Sequence, residues 1–196
     1  NVKLPLYNAD SVLQACLRQR EDGNEVNKYR IFASPTKENP LSQIPKGSNP
    51  RFLLDNSAIS KEVTECYKAD PNFPIKCGGI SAIIDDDSFA VVKENDRYFA
   101  TFSCSEPGTT GHYDGQHTIA AIDKAVKLLD DSACARQHVD INLVERSAFD
   151  SIKEIRDVAR AFNARSKQKK SSELNIIGDF DKLKSNINYC DHQSIW

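Results

Sequence analysis

The sequence lacks methionine, has a single tryptophan and contains no long apolar run. None of its hydrophobic stretches approaches the roughly 20 residues that cross a bilayer, so no membrane contact is expected. The first five residues, Asn-Val-Lys-Leu-Pro, have neither the apolar core of a signal peptide nor the character of a transit peptide, which favours a cytoplasmic location. The missing initiator methionine favours an excised domain or a processed product, with part of the function in flanking domains.

Paired cysteine motifs and a strong net charge are also missing. The six cysteines form no Cys-x-x-Cys pair, which argues against zinc-finger and thioredoxin-like sites and favours free thiols in a reducing compartment. The formal net charge is -2, so a basic field over the whole molecule is excluded and any nucleic-acid contact requires a local patch.

A chain of 196 residues can bury a core without disulfide staples. Hydrophobic spacing predicts helices at about 10–20, 58–69, 116–129, 152–162 and 172–187. It predicts strands at about 29–32, 89–92, 98–102 and 139–144, and a strand interrupted by Gly-Gly at 73–84. Because strands and helices mix without regular alternation, we expect a mixed α+β fold, in which helices pack on a small mixed sheet.

The segment from His112 to Thr118 has the densest set of chemically active residues. The glycine-rich residues 108–111 are predicted to form a flexible loop that leads into it, and an amphipathic helix follows. Gly115 permits a sharp turn, and the first turn of a helix offers unpaired N–H groups and a positive dipole end. This arrangement suits a phosphate, with Gln116 and Thr118 as further hydrogen-bonding groups.

The same segment contains candidates for proton transfer and metal binding. Asp114 is a candidate for holding Mg²⁺ or orienting a water, and His112 and His117 for moving a proton near neutral pH. A zinc site from His112, Asp114 and His117 matches no standard spacing. The alternative is that Asp114 simply caps the helix, with both histidines half-exposed.

Residues 114–122, Asp-Gly-Gln-His-Thr-Ile-Ala-Ala-Ile, resemble the Asp-Gly-Gln-His-Arg motif of DndB-like proteins and the Asn-Gly-x-Gln-Thr motif of the abortive-phage-infection (AIPR) family. Other stretches resemble AIPR elements in the same order. They are Asn49-Pro50-Arg51, the Gly-Gly-Ile core of 73–84, Phe162-Asn163-Ala164-Arg165-Ser166-Lys167-Gln168, and the tail around 181–186.

The resemblance implies a domain over 48–196, distantly similar to the ParB/sulfiredoxin fold, after an unassigned N-terminal helix/strand extension over 1–47. It implies a nucleotide- or nucleic-acid-phosphate-binding domain, with NTP hydrolysis, in prokaryotic or phage DNA defence or DNA modification. Mg²⁺ and a nucleoside triphosphate are the expected cofactors, and a nucleotide or DNA the expected partner. The implied residues are Asp114, Gln116 and His117 for catalysis, and Asn49, Arg51, Gly115, Thr118 and Asn163 for phosphate binding.

Thr118 departs from this pattern, since DndB-like motifs have arginine there. This departure favours the alternative of a non-catalytic module that binds DNA or a protein partner, whereas the histidines favour an enzyme. A nuclease is a third alternative, although no dedicated nuclease motif is found. The oligomeric state stays open.

Four further features have competing interpretations. The basic side chains of Arg165, Lys167, Lys169 and Lys170 form either a nucleic-acid patch or a solvated face. Asp85-Asp86-Asp87 fits a turn better than a metal site. Gly78-Gly79 fits either a bulge or a close backbone approach beside the central motif. Cys104 is a weak candidate for a Cys–His nucleophilic pair with a motif histidine.

Overall fold

The computed structural model describes residues 1–48 and 58–165. The strands are β1 (Val2–Pro5), β2 (Val12–Gln19), β3 (Glu25–Ala33), β4 (Ile80–Ile84), β5 (Ala90–Glu94), β6 (Arg97–Phe102), β7 (Gly111–Asp114) and β8 (Val139–Glu145). The helices are α1 (Ala58–Ala69), α2 (Phe73–Lys76), α3 (Gln116–Val126), α4 (Asp131–Cys134) and α5 (Ile152–Arg165), with short 3-10 turns at Leu41–Gln43 and Arg146–Ala148. This is the mixed α+β fold that the sequence predicts.

A five-stranded sheet in the order β2-β3-β8-β4-β7 positions the motif. Its pairs are antiparallel except β4 with β8, which is parallel. Ile141 of β8 lies opposite both Ile31 and Ile80, and all three are fully buried. Ile122 and Val126 of α3 belong to the same core, so alternating apolar residues of the sheet and one face of α3 are buried together.

A three-stranded sheet has the order β1-β6-β5. The β5–β6 hairpin turns at Asn95 and Asp96, whose φ values of 46° and 63° are both left-handed. Such a turn matches the right-handed twist of a hairpin, and asparagine and aspartate tolerate it best after glycine. The strands predicted at about 89–92 and 98–102 are thus confirmed, and they pair as a hairpin.

Two predicted elements are wrong. Residues 10–20, predicted as a helix, form β2, because a turn at Gly23 (φ +85°) folds this stretch back along β3. Its apolar spacing fitted a helix, but Leu13 and Leu17 are 55% and 50% exposed, so burial did not set that spacing. Residues 73–76, predicted as strand, form the single turn α2, with Pro74 in the first turn where proline is tolerated.

The segment that follows β3 is tied to α3 by Asp123. This buried carboxylate accepts the Leu41 N–H at 2.8 Å with Oδ1 and the Ser42 N–H at 2.9 Å with Oδ2. Two charge-assisted hydrogen bonds to backbone hold the start of the 3-10 turn on the helix. The chain beyond it is thereby directed towards β7.

Chain contacts divide the protein into residues 1–160 and 161–196. The first unit contains both sheets, and residues 1–47 contribute β1, β2 and β3, which pair with β6 and β8. Of the second unit, 161–165 are described and belong to α5; the helix predicted at 172–187 lies outside the described residues. Among the described helices, none has the length and apolar character that a bilayer crossing requires.

Candidate functional site

The motif lies at the junction between β7 and α3. His112, Tyr113 and Asp114 belong to β7, Gly115 is the N-cap, and α3 starts at Gln116 as the sequence predicts. Residues 108–110, which precede the motif, form a packed turn in which Thr109 and Thr110 are buried and donate their N–H groups to the Glu106 carbonyl. A paired strand therefore delivers the motif, in place of the flexible glycine-rich loop that the sequence suggested.

A β-bulge interrupts β7 directly before the helix. Asp114 lies opposite Ser81 and His112 opposite Ala82, so Tyr113 is the extra residue of the bulge. His112 and Tyr113 are both buried, and the Tyr113 hydroxyl is hydrogen-bonded to Ser81. Bulges commonly re-aim side chains next to functional sites, and this one takes two motif side chains out of water.

Two features of the backbone at residue 115 require glycine there. Its φ is +90°, and a Cβ built on it would lie 2.9 Å from the Gly79 carbonyl oxygen and 3.0 Å from Ile80 Cα. Gly79 has φ +76°, and its own Cβ would lie 2.6 Å from the Asp140 carbonyl oxygen. The close backbone approach suggested for Gly78-Gly79 beside the motif is therefore present, since the start of β4 lies directly against the start of α3.

The first turn of α3 has no side-chain cap. Gly115 has no side chain, and its carbonyl accepts the first helical hydrogen bond from Ile119 N–H at 2.9 Å. Among the described residues, the N–H groups of Gln116, His117 and Thr118 have no hydrogen-bond acceptor. Three donors at the positive end of the helix dipole favour an anion.

Two side-chain atoms of this turn also lack hydrogen-bond partners among the described residues. Gln116 Oε1 and His117 Nδ1 are buried atoms without a hydrogen-bond partner in the described part of the chain. Buried polar atoms are rarely left unpaired in native proteins, so each calls for an explanation. Thr118 instead has a partner, because its hydroxyl donates to Cys77 Sγ, which also accepts the Gly79 N–H at 3.5 Å.

His112 cannot transfer protons near neutral pH, contrary to the sequence-based suggestion. Burial, together with the positive charge of Lys46, lowers the pKa of His112 to about 4. The imidazole is therefore neutral at pH 7. His117 is left as the proton-transfer candidate of the motif.

Asp114 is half-buried, at the rim of this junction. No group of three or more histidine, cysteine, aspartate or glutamate side chains within 1–48 and 58–165 is arranged to hold a metal ion, so the zinc alternative has no support. Mg²⁺ is often held by one carboxylate and by the phosphates of a substrate. Asp114 fits that mode and does not fit a separate protein-only metal site.

Asn49 and Arg51 lie outside the described residues, whereas described residues before and after them contact β7 and α3. On the N-terminal side, the Gly47 N–H donates to the His112 carbonyl at 3.1 Å, and the His112 N–H donates to the Pro45 carbonyl at 2.8 Å. On the C-terminal side, Thr64 of α1 donates to the Ala121 carbonyl of α3 at 3.2 Å. The connecting chain thus joins elements that contact β7 and α3.

The remaining predicted residues are at or beyond the end of α5. Asn163 and Arg165 belong to the last turn of α5, and Lys167, Lys169 and Lys170 lie outside the described residues. The proposed basic patch therefore stays a prediction.

Two minor candidates are now explained by structure. Asp85-Asp86-Asp87 is the turn after β4: Asp85 and Asp86 accept backbone N–H groups of Ser105 and Ser147, and Arg20 pairs with Asp86 and Asp87. Burial raises the pKa of the Cys104 thiol to about 12, so it is no nucleophile at neutral pH. The five described cysteines are free thiols, as expected.

Sequence reasoning missed the bulge at Tyr113 and the part that Cys77 and Lys46 take in the surroundings of the motif. Cys77 directly precedes the Gly-Gly pair, which could have indicated its position. Nothing in the local pattern shows that the backbone of Lys46 pairs with that of His112 as an isolated parallel β-bridge. A search of family models, of curated proteins and of solved structures finds no match to this chain.

Proposed function

We propose that this chain is a phosphate-binding domain that takes a nucleotide, or a nucleic-acid phosphate, at the N-terminus of α3. The observation that carries the proposal is the uncapped first turn, where the N–H groups of Gln116, His117 and Thr118 have no acceptor among the described residues. A bound phosphate oxygen would satisfy these donors and gain from the helix dipole. Gly115 leaves the space in front of them free of a side chain.

Each motif side chain has a role in this proposal. The Gln116 amide nitrogen would donate to a phosphate oxygen, and its buried, unpaired oxygen would accept from a hydroxyl or amino group of the nucleotide. His117 would transfer a proton, and Asp114 would orient a water or hold Mg²⁺ that arrives with the phosphates. Bound there, Mg²⁺ would supply charge neutralisation of the phosphate oxygens. Arg51 and Asn49 would add positive charge and hydrogen bonds.

The proposal of an NTP-hydrolysing domain in phage defence or DNA modification depends on the resemblance of residues 114–122 to the AIPR and DndB-like motifs. Thr118 donates to Cys77 and stands where the DndB-like motif has arginine, which would face phosphate. Phosphate binding is therefore the better supported half of the proposal, and hydrolysis is the half to be tested second.

Ligand binding is tested first by thermal shift and calorimetric titration. The ligands are inorganic phosphate, pyrophosphate, and ATP, GTP and CTP with and without Mg²⁺. A ligand at about 100 times its Kd stabilises the native state by about 2.7 kcal/mol, which a thermal shift detects readily. We expect a shift with at least one nucleotide, its loss in Gln116→Ala and its retention in Gln19→Ala, a matched change on β2.

Turnover is tested next with Asp114→Ala and Gln116→Ala. If the domain hydrolyses a nucleotide, both changes abolish the reaction and leave the circular dichroism spectrum unchanged. Turnover that survives both substitutions contradicts the assignment. Binding without turnover in the wild type would instead support the non-catalytic module.

A further inference from the structure

The two edges of the five-stranded sheet are built differently. On the β7 edge, the backbone of His112 bonds to Pro45 and Gly47, so the chain itself covers that edge. On the β2 edge, no described strand pairs with the outer side. Every residue from Leu13 to Gln19 is exposed, including two leucines. Exposed edge strands with apolar side chains are templates for pairing with another strand.

The pairing of β2 with β3 shows which backbone groups are left for a partner. The Phe32 N–H donates to the Ser11 carbonyl at 3.0 Å, so Ser11 and Phe32 are a hydrogen-bonded pair. Since such pairs alternate along an antiparallel ladder, Leu13 and Ala15 also bond to β3. The N–H and C=O groups of Val12, Gln14 and Cys16 therefore point outwards.

A bulge at Leu17 ends this regular stretch, because Cys16 lies opposite Asn27 and Arg18 opposite Val26. The outward groups thus form a short array of three residues that is symmetric about Gln14. An identical strand running in the opposite direction presents the same array. Such self-complementarity is what a two-fold symmetric interface requires.

We propose that two copies of this chain pair through β2, antiparallel and with Gln14 on the two-fold axis. Gln14 then faces Gln14 of the second copy, and Val12 faces its Cys16, which gives about six interchain hydrogen bonds. Leu13 lies opposite Ala15 of the second copy, in a close pair without hydrogen bonds. The two sheets join into one continuous sheet of twice as many strands.

The charges at the ends of β2 favour a second copy over an unrelated strand. Asp10 lies in the turn that leads into β2, and Arg18 follows the bulge, so antiparallel pairing brings the Asp10 end of each copy close to the Arg18 end of the other. Asp10 is exposed, and Arg18, although paired with Asp150, keeps 46% of its side chain exposed. Opposite charges facing each other across strands stabilise the pairing. Because the regular stretch is short, the interface falls in the size class of reversible dimers.

Sedimentation velocity over a concentration series tests whether the dimer forms. We expect a reversible monomer–dimer equilibrium at concentrations up to about 0.5 mM. Asp10→Lys brings like charges close to each other and should weaken the dimer about tenfold. Glu21→Lys makes the same charge change in the exposed turn after β2 and should leave the equilibrium unchanged. A chain that stays monomeric over the whole series overturns the proposal.

A disulfide tests the register. Residues of a hydrogen-bonded antiparallel pair lie with Cα atoms about 5.5 Å apart, which suits a disulfide. In a Cys16→Ser background, Gln14→Cys should give covalent dimers under mild oxidation with copper phenanthroline. Lys93→Cys, on the exposed edge strand β5, is the matched control. Cross-linking at residue 14 no faster than at residue 93 contradicts the assignment, whereas a clear excess at residue 14 supports it.

Discussion

His112 shows at the residue scale how the fold decides the chemistry of a side chain. The bulge in β7 leaves it 5% exposed, next to the charge of Lys46, and its pKa falls to about 4. In the unfolded chain the pKa of a histidine is near 6.5. The unfolded state therefore binds more protons between pH 6.5 and 4, and low pH favours it.

We predict that the contribution of His112 to the free energy of unfolding is constant above about pH 6.5 and falls as the pH decreases towards 4. The loss amounts to about 2–3 kcal/mol from this residue. Urea unfolding at several pH values measures it, and the comparison is the slope against pH in the wild type and in His112→Gln. Carboxyl groups contribute equally to both chains and cancel. Equal slopes, or an imidazole titrating near 6.5 by NMR, would contradict the burial argument.

At the element scale, the contact between β4 and α3 depends on glycine backbone. Gly115→Ala should destabilise the protein by about 2–4 kcal/mol. The alanine would have to adopt a strained left-handed backbone conformation, and its Cβ would also clash with the backbone of Gly79 and Ile80. Gly108 has φ +76°, and nothing lies within 4 Å of a Cβ built on it. Gly108→Ala should therefore lower the free energy of unfolding by about 1 kcal/mol, from backbone strain alone.

Gly78→Ala is the matched control for that series. Nothing lies within 4 Å of its Cβ and its φ is not left-handed, so the change should stay within about 0.5 kcal/mol. Denaturant unfolding ranks the three variants. If Gly115→Ala costs no more than Gly108→Ala, the close approach between α3 and β4 does not constrain residue 115.

The sequence predicts the elements in which local pattern and burial agree. The span of α1 and the start of α3 were predicted correctly, because apolar residues at helical spacing face the core. β2 was not, because all of its apolar residues after Val12 are exposed and its conformation is imposed by pairing with β3. The bulge at Tyr113 could not be predicted either, since it depends on the register between β7 and β4, which are 27 residues apart at their nearest ends.

The motif, in contrast to the bulge, can be recognised from local sequence alone. The sequence Asp114-Gly115-Gln116 signals a turn followed by a helix, and the structure has Gly115 as the N-cap of a helix that begins at Gln116. What the sequence could not show is which polar atoms stay unpaired. Gln116 Oε1 and His117 Nδ1 are buried by neighbouring elements, and that burial turns a polar cluster into a candidate binding site.

At the scale of the whole molecule, the two proposed surfaces lie at opposite edges of the five-stranded sheet. The order β2-β3-β8-β4-β7 places four strand spacings, about 19 Å, between the dimer edge and the motif strand. The dimer would therefore present its two phosphate sites at the far ends of a continuous sheet.

We predict that phosphate binding and dimerisation are independent. Asp10→Lys should weaken the dimer with phosphate affinity unchanged, and Gln116→Ala should abolish phosphate binding with the dimer constant unchanged. Calorimetric titration and sedimentation velocity on the same two variants measure both quantities. Coupling between binding sites is reciprocal, so a real linkage must appear in both experiments with the same factor. A shared factor above about three would mean that the sheet transmits binding at one edge to the other.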